Sequence, residues 1–216
     1  MQYAICQETW FQPIVDTKFD EHHILGHECL IQTGDRPASE HGTLLAIRAA
    51  SREAKEGLYF LPAPACLGSA MKALDYSGMQ PENLVFEAAD LADLKRTRNL
   101  FRGRGFGLAL SNAGMGSEPL DAIRDLKPDY LKLNPGLVRG VERPAHAAAI
   151  QRLVGLADRF GTIVIAEGVD RARTMENLWL LGVQYMQGDL FGRPEPRVSQ
   201  PGNVLISLLP ALSLCN

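Results

Sequence analysis

The 216-residue chain is 46% hydrophobic and 22% charged, with a formal net charge of −3. That apolar content supports a well-buried core and excludes a disordered or collagen-like chain. The mixed charges exclude a nucleic-acid binder that relies on a basic face.

The N-terminal stretch MQYAICQETW has no basic segment followed by an apolar one, so no signal peptide is expected. The first β-rich run is WFQPIV (10–15), and DTKFDE (16–21) joins it to the second, ILGHECLIQ (24–32). Six residues leave no room for a crossover helix, so this pair is predicted to be an antiparallel hairpin. The stretch at 42–57 places Leu44, Leu45, Ile47 and Ala50 on one helical face, ahead of the strand LYFL (58–61). The strand NLVFEA (83–88) precedes a helix at 89–103 built on Leu91, Leu94 and Leu100. The strands FGLAL (106–110) and YLKL (130–133) come next. A helix at 144–161 is predicted to end on Gly161, a good residue for closing a helix. TIVIAE (162–167), a helix ending near Gly182 and VQYMQG (183–188) complete the pattern. The apolar tail at 204–215 is too short to span a bilayer and is interrupted by Pro210. It is expected to cover the barrel or a partner surface.

The strand runs lack strict alternation, as in strands buried on both faces. Eight of them alternating with helices predict an α/β chain, a (β/α)8 TIM-like barrel with an antiparallel first strand. A doubly wound open sheet is the alternative. One domain is expected over 1–216, with its core at about 10–195 and a tail at 196–216. Cys6, Cys29, Cys66 and Cys215 form no C-x-x-C pair, which reads as reduced thiols in a cytoplasmic protein.

The informative polar residues stand in or at the ends of strands: Glu28, Glu87, Lys132, Glu167 and Gln187. A barrel would bring them to one face. Buried charges are costly unless paired or metal-bound, so the group reads as a salt-bridged plug or as a site. Ser111-Asn112 closes the fifth strand with no carboxylate, although strand ends are where catalytic residues of such barrels sit. His22, His23 and His27 lack zinc-like spacing and read as a solvated turn pair plus one strand histidine. GRGFG (103–107) precedes a strand rather than following one, and reads as a helix-to-strand turn rather than a phosphate loop. Trp179 reads as packing on an amphipathic helix.

The segments FQPIVD, HECL, LVFEAAD, LALSNAGMG, PDYLKLN, IAEGVD and MQGDLFGRP stand in one order. In that order the chain resembles the EAL-domain family, bacterial phosphodiesterases that linearise cyclic di-GMP. The resemblance runs from about Trp10 to Pro194 and implies a barrel with an antiparallel first strand. It also implies metal-ligand roles for Glu28 and Glu87, catalytic roles for Lys132, Glu167 and Gln187, and ligand contacts from Gln12, Leu30 and Arg193.

The chain departs from the family pattern at several places. Ser111-Asn112 replaces an aspartate pair, and Leu61 falls where the third strand usually carries an asparagine ligand. Gln32 replaces an arginine, the loop AGMGSEP (113–119) differs, and the stretch from Gln32 to Leu58 is short, as if a helix near the pocket were missing. Two-metal hydrolysis needs cations about 3.5–4 Å apart, bridged by shared donors. Asn112 could offer one carbonyl and Glu118 could swing in, but the set is poor. The resemblance therefore implies a catalytically degenerate domain, a regulatory or protein-binding module in cyclic di-GMP signalling. No resident cofactor is expected, with Mg²⁺ or Mn²⁺ held at most weakly at Glu28 and Glu87. The expected partner is a protein, with cyclic di-GMP bound weakly or not at all, no nucleic acid and no membrane span. The alternative is a phosphodiesterase with substituted metal ligands.

Overall fold

The computed structural model describes residues 8–18, 23–31, 40–53, 57–64, 71–72, 74–75, 77–101, 103–114 and 120–198. Gln32, Glu118, His22 and the tail beyond 198 lie outside them. Eight strands close into a barrel in sequential order, β1 to β8. They are β1 (Thr9–Asp16), β2 (His23–Ile31), β3 (Leu58–Pro62), β4 (Leu84–Ala88), β5 (Gly107–Ala113), β6 (Tyr130–Leu133), β7 (Ile163–Ala166) and β8 (Tyr185–Gln187).

β1 runs antiparallel to both β2 and β8, and every other neighbouring pair is parallel. The antiparallel start arises from the short 16–21 connection, which cannot house a crossover. Closure removes the open-sheet alternative. Helices with described ends in the connections are α1 (Glu40–Ala50), α2 (Leu91–Phe101), α3 (Leu120–Leu126), α4 (Pro135–Arg139), α5 (Pro144–Phe160) and α6 (Ala172–Leu180). The connection from β2 to β3 thus retains a helix, α1, despite its shortness.

Alternate strand residues divide between the barrel interior and the helical layer. Ile14, Phe60, Val85, Ala109 and Ile165 cluster together inside, with the Phe60 and Tyr130 rings edge-to-face at 5.0 Å. Facing outward, Phe11, Tyr59, Leu61 and Phe86 pack with Ala46 and Ile47 of α1 and Phe101 of α2. A larger cluster joins β5, β6 and β7 to α5 and α6 through Leu131, Leu133, Ile150, Leu153 and Leu178. The buried stripe of α2 is Leu94, Thr97 and Phe101, one residue on from the expected Leu100.

Gly161 closes α5 in the left-handed conformation, φ 70°, and donates to the Ala157 carbonyl. Gly188 comes directly after β8, and a Cβ there would meet the Val169 backbone at 2.2–2.7 Å. That close approach lets Val169 donate to the Gln187 carbonyl at 3.0 Å. It ties the segment carrying Glu167 to the end of β8.

No described helix is long and apolar enough to cross a membrane. Trp179, near the end of α6, is 41% exposed, and its indole N–H donates to Thr17 Oγ1 at 2.7 Å.

Candidate functional site

The C-terminal ends of the parallel strands gather the polar residues. β2 holds Glu28 opposite Gln12 of β1 and beside Phe60 of β3. β4 presents Glu87, β6 presents Lys132, Glu167 stands just past β7, and Gln187 ends β8. Their meeting point is Lys132. Its ammonium lies 3.1 Å from Glu28 Oε2, 2.6 Å from Glu87 Oε1 and 2.7 Å from Glu167 Oε1. The lysine side chain is fully buried, and the three carboxylates are 11–17% exposed. Nζ also stands 5.9 Å from the centre of the Phe60 ring. An ammonium offers three donors and no acceptor, so three carboxylates use its capacity fully.

The rest of the network continues around the mouth. Gln187 is 2% exposed and donates through Nε2 to Gln12 Oε1 at 3.0 Å and to Glu28 Oε2. Gln12 in turn donates to the Gly192 carbonyl at 3.0 Å. Arg193 is exposed and pairs with Asp189 at 3.2 Å. Leu30 is partly buried opposite Trp10, two residues beyond Glu28 along the same ladder. Of the sequence-named contact residues, Gln12 and Leu30 stand on β1 and β2 near Glu28, and Arg193 follows Gly192, whose carbonyl accepts from Gln12.

The charges do not balance. Three carboxylates face one ammonium, and the structure relieves the excess by raising carboxyl pKa values. Burial pushes the Glu87 carboxyl up to about 8; Lys132 pulls it back, while Glu28 and Glu167 push it further up. Burial likewise raises Glu167, again against the pull of Lys132. For Lys132, burial acts to lower its pKa, but Glu28, Glu87 and Glu167 outweigh it and hold the ammonium well above its ordinary value. Cys29, beside Glu28, is buried, and burial with the neighbouring carboxylates pushes its thiol well up.

Ser111 and Asn112 are absorbed into local structure. Ser111 Oγ donates to Glu87 Oε2 at 3.3 Å. The β5–β6 register is irregular between Leu110 and Ala113. Asn112 takes up that irregularity with φ 58°, a conformation asparagine tolerates better than most residues. Its Oδ1 accepts from Asn134 Nδ2 at 3.3 Å, while Asn134 Oδ1 caps α4 by accepting from Gly136 N at 2.7 Å. The sequence reading misses Asn134. Its signal is the Asn-Pro pair directly after β6, which marks a helix start.

Leu61 does not face the mouth, contrary to its expected place at a ligand position. It lies outward with Tyr59, fully buried in the cluster beneath α1. The mouth-facing positions of β3 are its neighbours Phe60 and Pro62, because side chains alternate along a strand. Neither carries a metal donor, so β3 still supplies none.

His27 is 8% exposed and stacks on Tyr59 at 6.3 Å, as a strand histidine rather than a ligand. GRGFG is the turn between α2 and β5, with Gly103 and Gly105 at positive φ. No group of three or more His, Cys, Asp or Glu among the described residues is arranged to hold a metal ion.

The EAL domain profile matches residues 60–194, well over half of the chain. The chain belongs to the EAL domain family. Among curated relatives, the cyclic di-GMP phosphodiesterase RocR of Pseudomonas aeruginosa is 31% identical over 146 residues, covering 62% of this chain and 37% of RocR. The RNase E specificity factor CsrD of Escherichia coli is 30% identical over 124 residues, covering 54% of this chain and 19% of CsrD. The chain thus spans little more than a third of RocR and less of CsrD.

Solved EAL structures share the fold. The manganese and cyclic di-GMP complex of Klebsiella pneumoniae BlrP1 aligns with a TM-score of 0.79 at 21% identity, over 90% of this chain and 57% of that one. A standalone EAL protein of Vibrio cholerae O395 with bound cyclic di-GMP aligns with a TM-score of 0.74 at 20% identity, over 90% and 94%.

Proposed function

We propose that this EAL domain is catalytically degenerate and acts as a regulatory or protein-binding module in cyclic di-GMP signalling, in the bacterial cytoplasm. The observation that carries the reading is the position of Lys132, whose ammonium contacts Glu28, Glu87 and Glu167 at 2.6–3.1 Å. A divalent cation that took ligands from these three carboxylates would have to displace that ammonium.

The donor set does not fit a pair of divalent cations. Mg²⁺ demands near-octahedral oxygen coordination. Here β3 offers Phe60 and Pro62, Ser111 spends its hydroxyl on Glu87, and Asn112 turns its carbonyl to Asn134. No shared carboxylate among the described residues stands ready to offset the repulsion between two metals. A phosphodiester step is accordingly not assigned to this site.

Names within the family support a range of outputs, from the phosphodiesterase RocR to the RNase E specificity factor CsrD. Residual nucleotide binding would fall to Gln12, Leu30 and Arg193. It should be weak, because Gln32 lacks the charge of the bidentate arginine usual at its position.

The test is cyclic di-GMP hydrolysis with Mg²⁺ or Mn²⁺, paired with calorimetric titration of the same nucleotide. The expected results are no turnover above buffer and an affinity weaker than micromolar. Turnover that is abolished by Glu28→Ala would overturn the reading and favour a phosphodiesterase with substituted ligands. Submicromolar binding would show that other residues have taken over phosphate recognition.

A further inference from the structure

A groove of about 660 Å³ lies on the outside of the barrel, between β1, α1 and the segment that follows β8. None of its described lining residues belongs to the Lys132 cluster. The volume falls within the roughly 300–1,000 Å³ of small-molecule sites. The lining is strongly charged, with Arg48, Arg52 and Arg197 against Glu8 and Glu53.

The two carboxylates are not equivalent. Glu53 is spent on holding the wall. Its side chain is 13% exposed, and Oε2 accepts from Val198 N at 3.3 Å. The same segment is fixed on its other side, where Phe11 and Glu195 exchange backbone hydrogen bonds at 2.6 and 3.0 Å. Arg197 rides on this fastened segment. Its guanidinium lies 3.8 Å from Glu53 Oε1, beyond hydrogen-bond length, so its donors remain open. Glu8, just before β1, is exposed.

The arginines of α1 are arranged by the helix. Arg48 stands in its last turn. Ser51 N donates to the Ile47 carbonyl and Arg52 N to the Ala49 carbonyl, each at 3.0 Å, so the coil continues and sets Arg52 about one turn beyond Arg48. Both are exposed, and neither has a carboxylate within ion-pair distance among the described residues. A helix C-terminus carries only about half a negative charge, which one guanidinium already outweighs. Like charges one turn apart repel each other. An anion placed between them reverses the sign of that interaction.

We propose that this groove binds a small polyphosphate, gripped by Arg48 and Arg52 from α1 and by Arg197 from the segment after β8. The planar guanidinium fork matches phosphate oxygens two at a time. A chain of phosphates concentrates enough charge to engage three guanidinium groups against the repulsion of Glu8, which a single carboxylate does not. Leu45, Ala49 and Pro196 line the uncharged remainder and leave space for an organic group. Free and nucleoside-borne chains share this chemistry, and the experiment separates them.

The test is calorimetric titration of the full chain in metal-free buffer at fixed ionic strength, with tripolyphosphate and then adenosine triphosphate. The expected result is saturable one-to-one binding of tripolyphosphate that excess cyclic di-GMP does not displace. Combining Arg48→Gln with Arg52→Gln should weaken it by about tenfold or more. Glu8→Gln should tighten it, because a repelling carboxylate leaves the lining. Arg139→Gln, at an exposed arginine of α4 outside the groove, should change nothing. Adenosine triphosphate binding at least as tightly as tripolyphosphate assigns a nucleoside-borne chain, and weaker binding assigns an inorganic one. No saturable binding would overturn the proposal. Equal weakening by Arg139→Gln would do so by showing diffuse attraction, and displacement by cyclic di-GMP would do so by placing the anion in the mouth.

Discussion

Lys132→Met removes the cation that contacts Glu28, Glu87 and Glu167 together and keeps a side chain of similar length. The site has 0% exposure at the lysine, so water cannot take its place freely. Glu87 and Glu167 already have raised affinities for a proton, and methionine at 132 takes the shared cation away from all three carboxylates. A stranded carboxylate can escape only by taking a proton. For an ordinary glutamate pKa of about 4.3, at about 1.4 kcal/mol per unit, that escape costs about 4 kcal/mol at pH 7.5. The figure agrees with the roughly 3–5 kcal/mol typical of breaking a buried pair on one side. At about 2–4 °C per kcal/mol for a chain of this size, the melting temperature should fall by about 10 °C. The same arithmetic gives only about 1 kcal/mol at pH 5, where protonation is nearly free. Packing loss has no such pH dependence. Thermal unfolding followed by circular dichroism at both pH values separates the two causes. A variant that melts within about 2 °C of the parent at pH 7.5 refutes the ion-pair account. An equal loss at both pH values refutes it too.

The parent chain should itself lose stability as pH rises from about 4.5 to about 8. Over that window the folded state keeps a proton on Glu87 that the unfolded chain releases. Glu87→Gln should flatten this part of the stability curve, and an unchanged slope in urea titrations across pH 5–8 would count against it. Gln187→Ala should destabilise the barrel by about 1–3 kcal/mol, since Gln12 and Glu28 each lose a buried donor; denaturant midpoints check this. Cys29 should resist alkylation by iodoacetamide in the native chain and react only on unfolding, because its thiol is buried and held protonated. Gly188→Ala should destabilise the fold or abolish it, as its Cβ would enter the Val169 backbone; soluble yield and melting temperature report it.

The barrel and its antiparallel start were legible because they depend on local quantities. Strand runs buried on both faces are continuous, and a six-residue connection can only turn back. The convergence of Glu28, Glu87, Lys132, Glu167 and Gln187 was legible for the same reason: each lies in or at the end of a strand, and a barrel gathers the carboxyl ends of its parallel strands on one face. The face of Leu61 was not. β3 is five residues long, and Tyr59, Phe60 and Leu61 are all buried, so it shows no alternation to fix its phase. A one-residue slip then exchanges inside for outside. Asn112 and Asn134 escape notice as a pair because their contact spans two strand ends, and a single sequence displays neither the β5 irregularity nor a positive φ. The same limit applies to the charge cluster. A sequence can count three carboxylates and one lysine at a mouth and conclude that the charges do not cancel. It cannot say which carboxyl takes up the excess proton, because that depends on depth. Glu87 is the least exposed of the three, and its carboxyl is the one pushed up to about 8. Burial, set by the closed barrel rather than by residue type, therefore decides where the proton sits. It also makes the lysine at the centre the element the mouth can least do without.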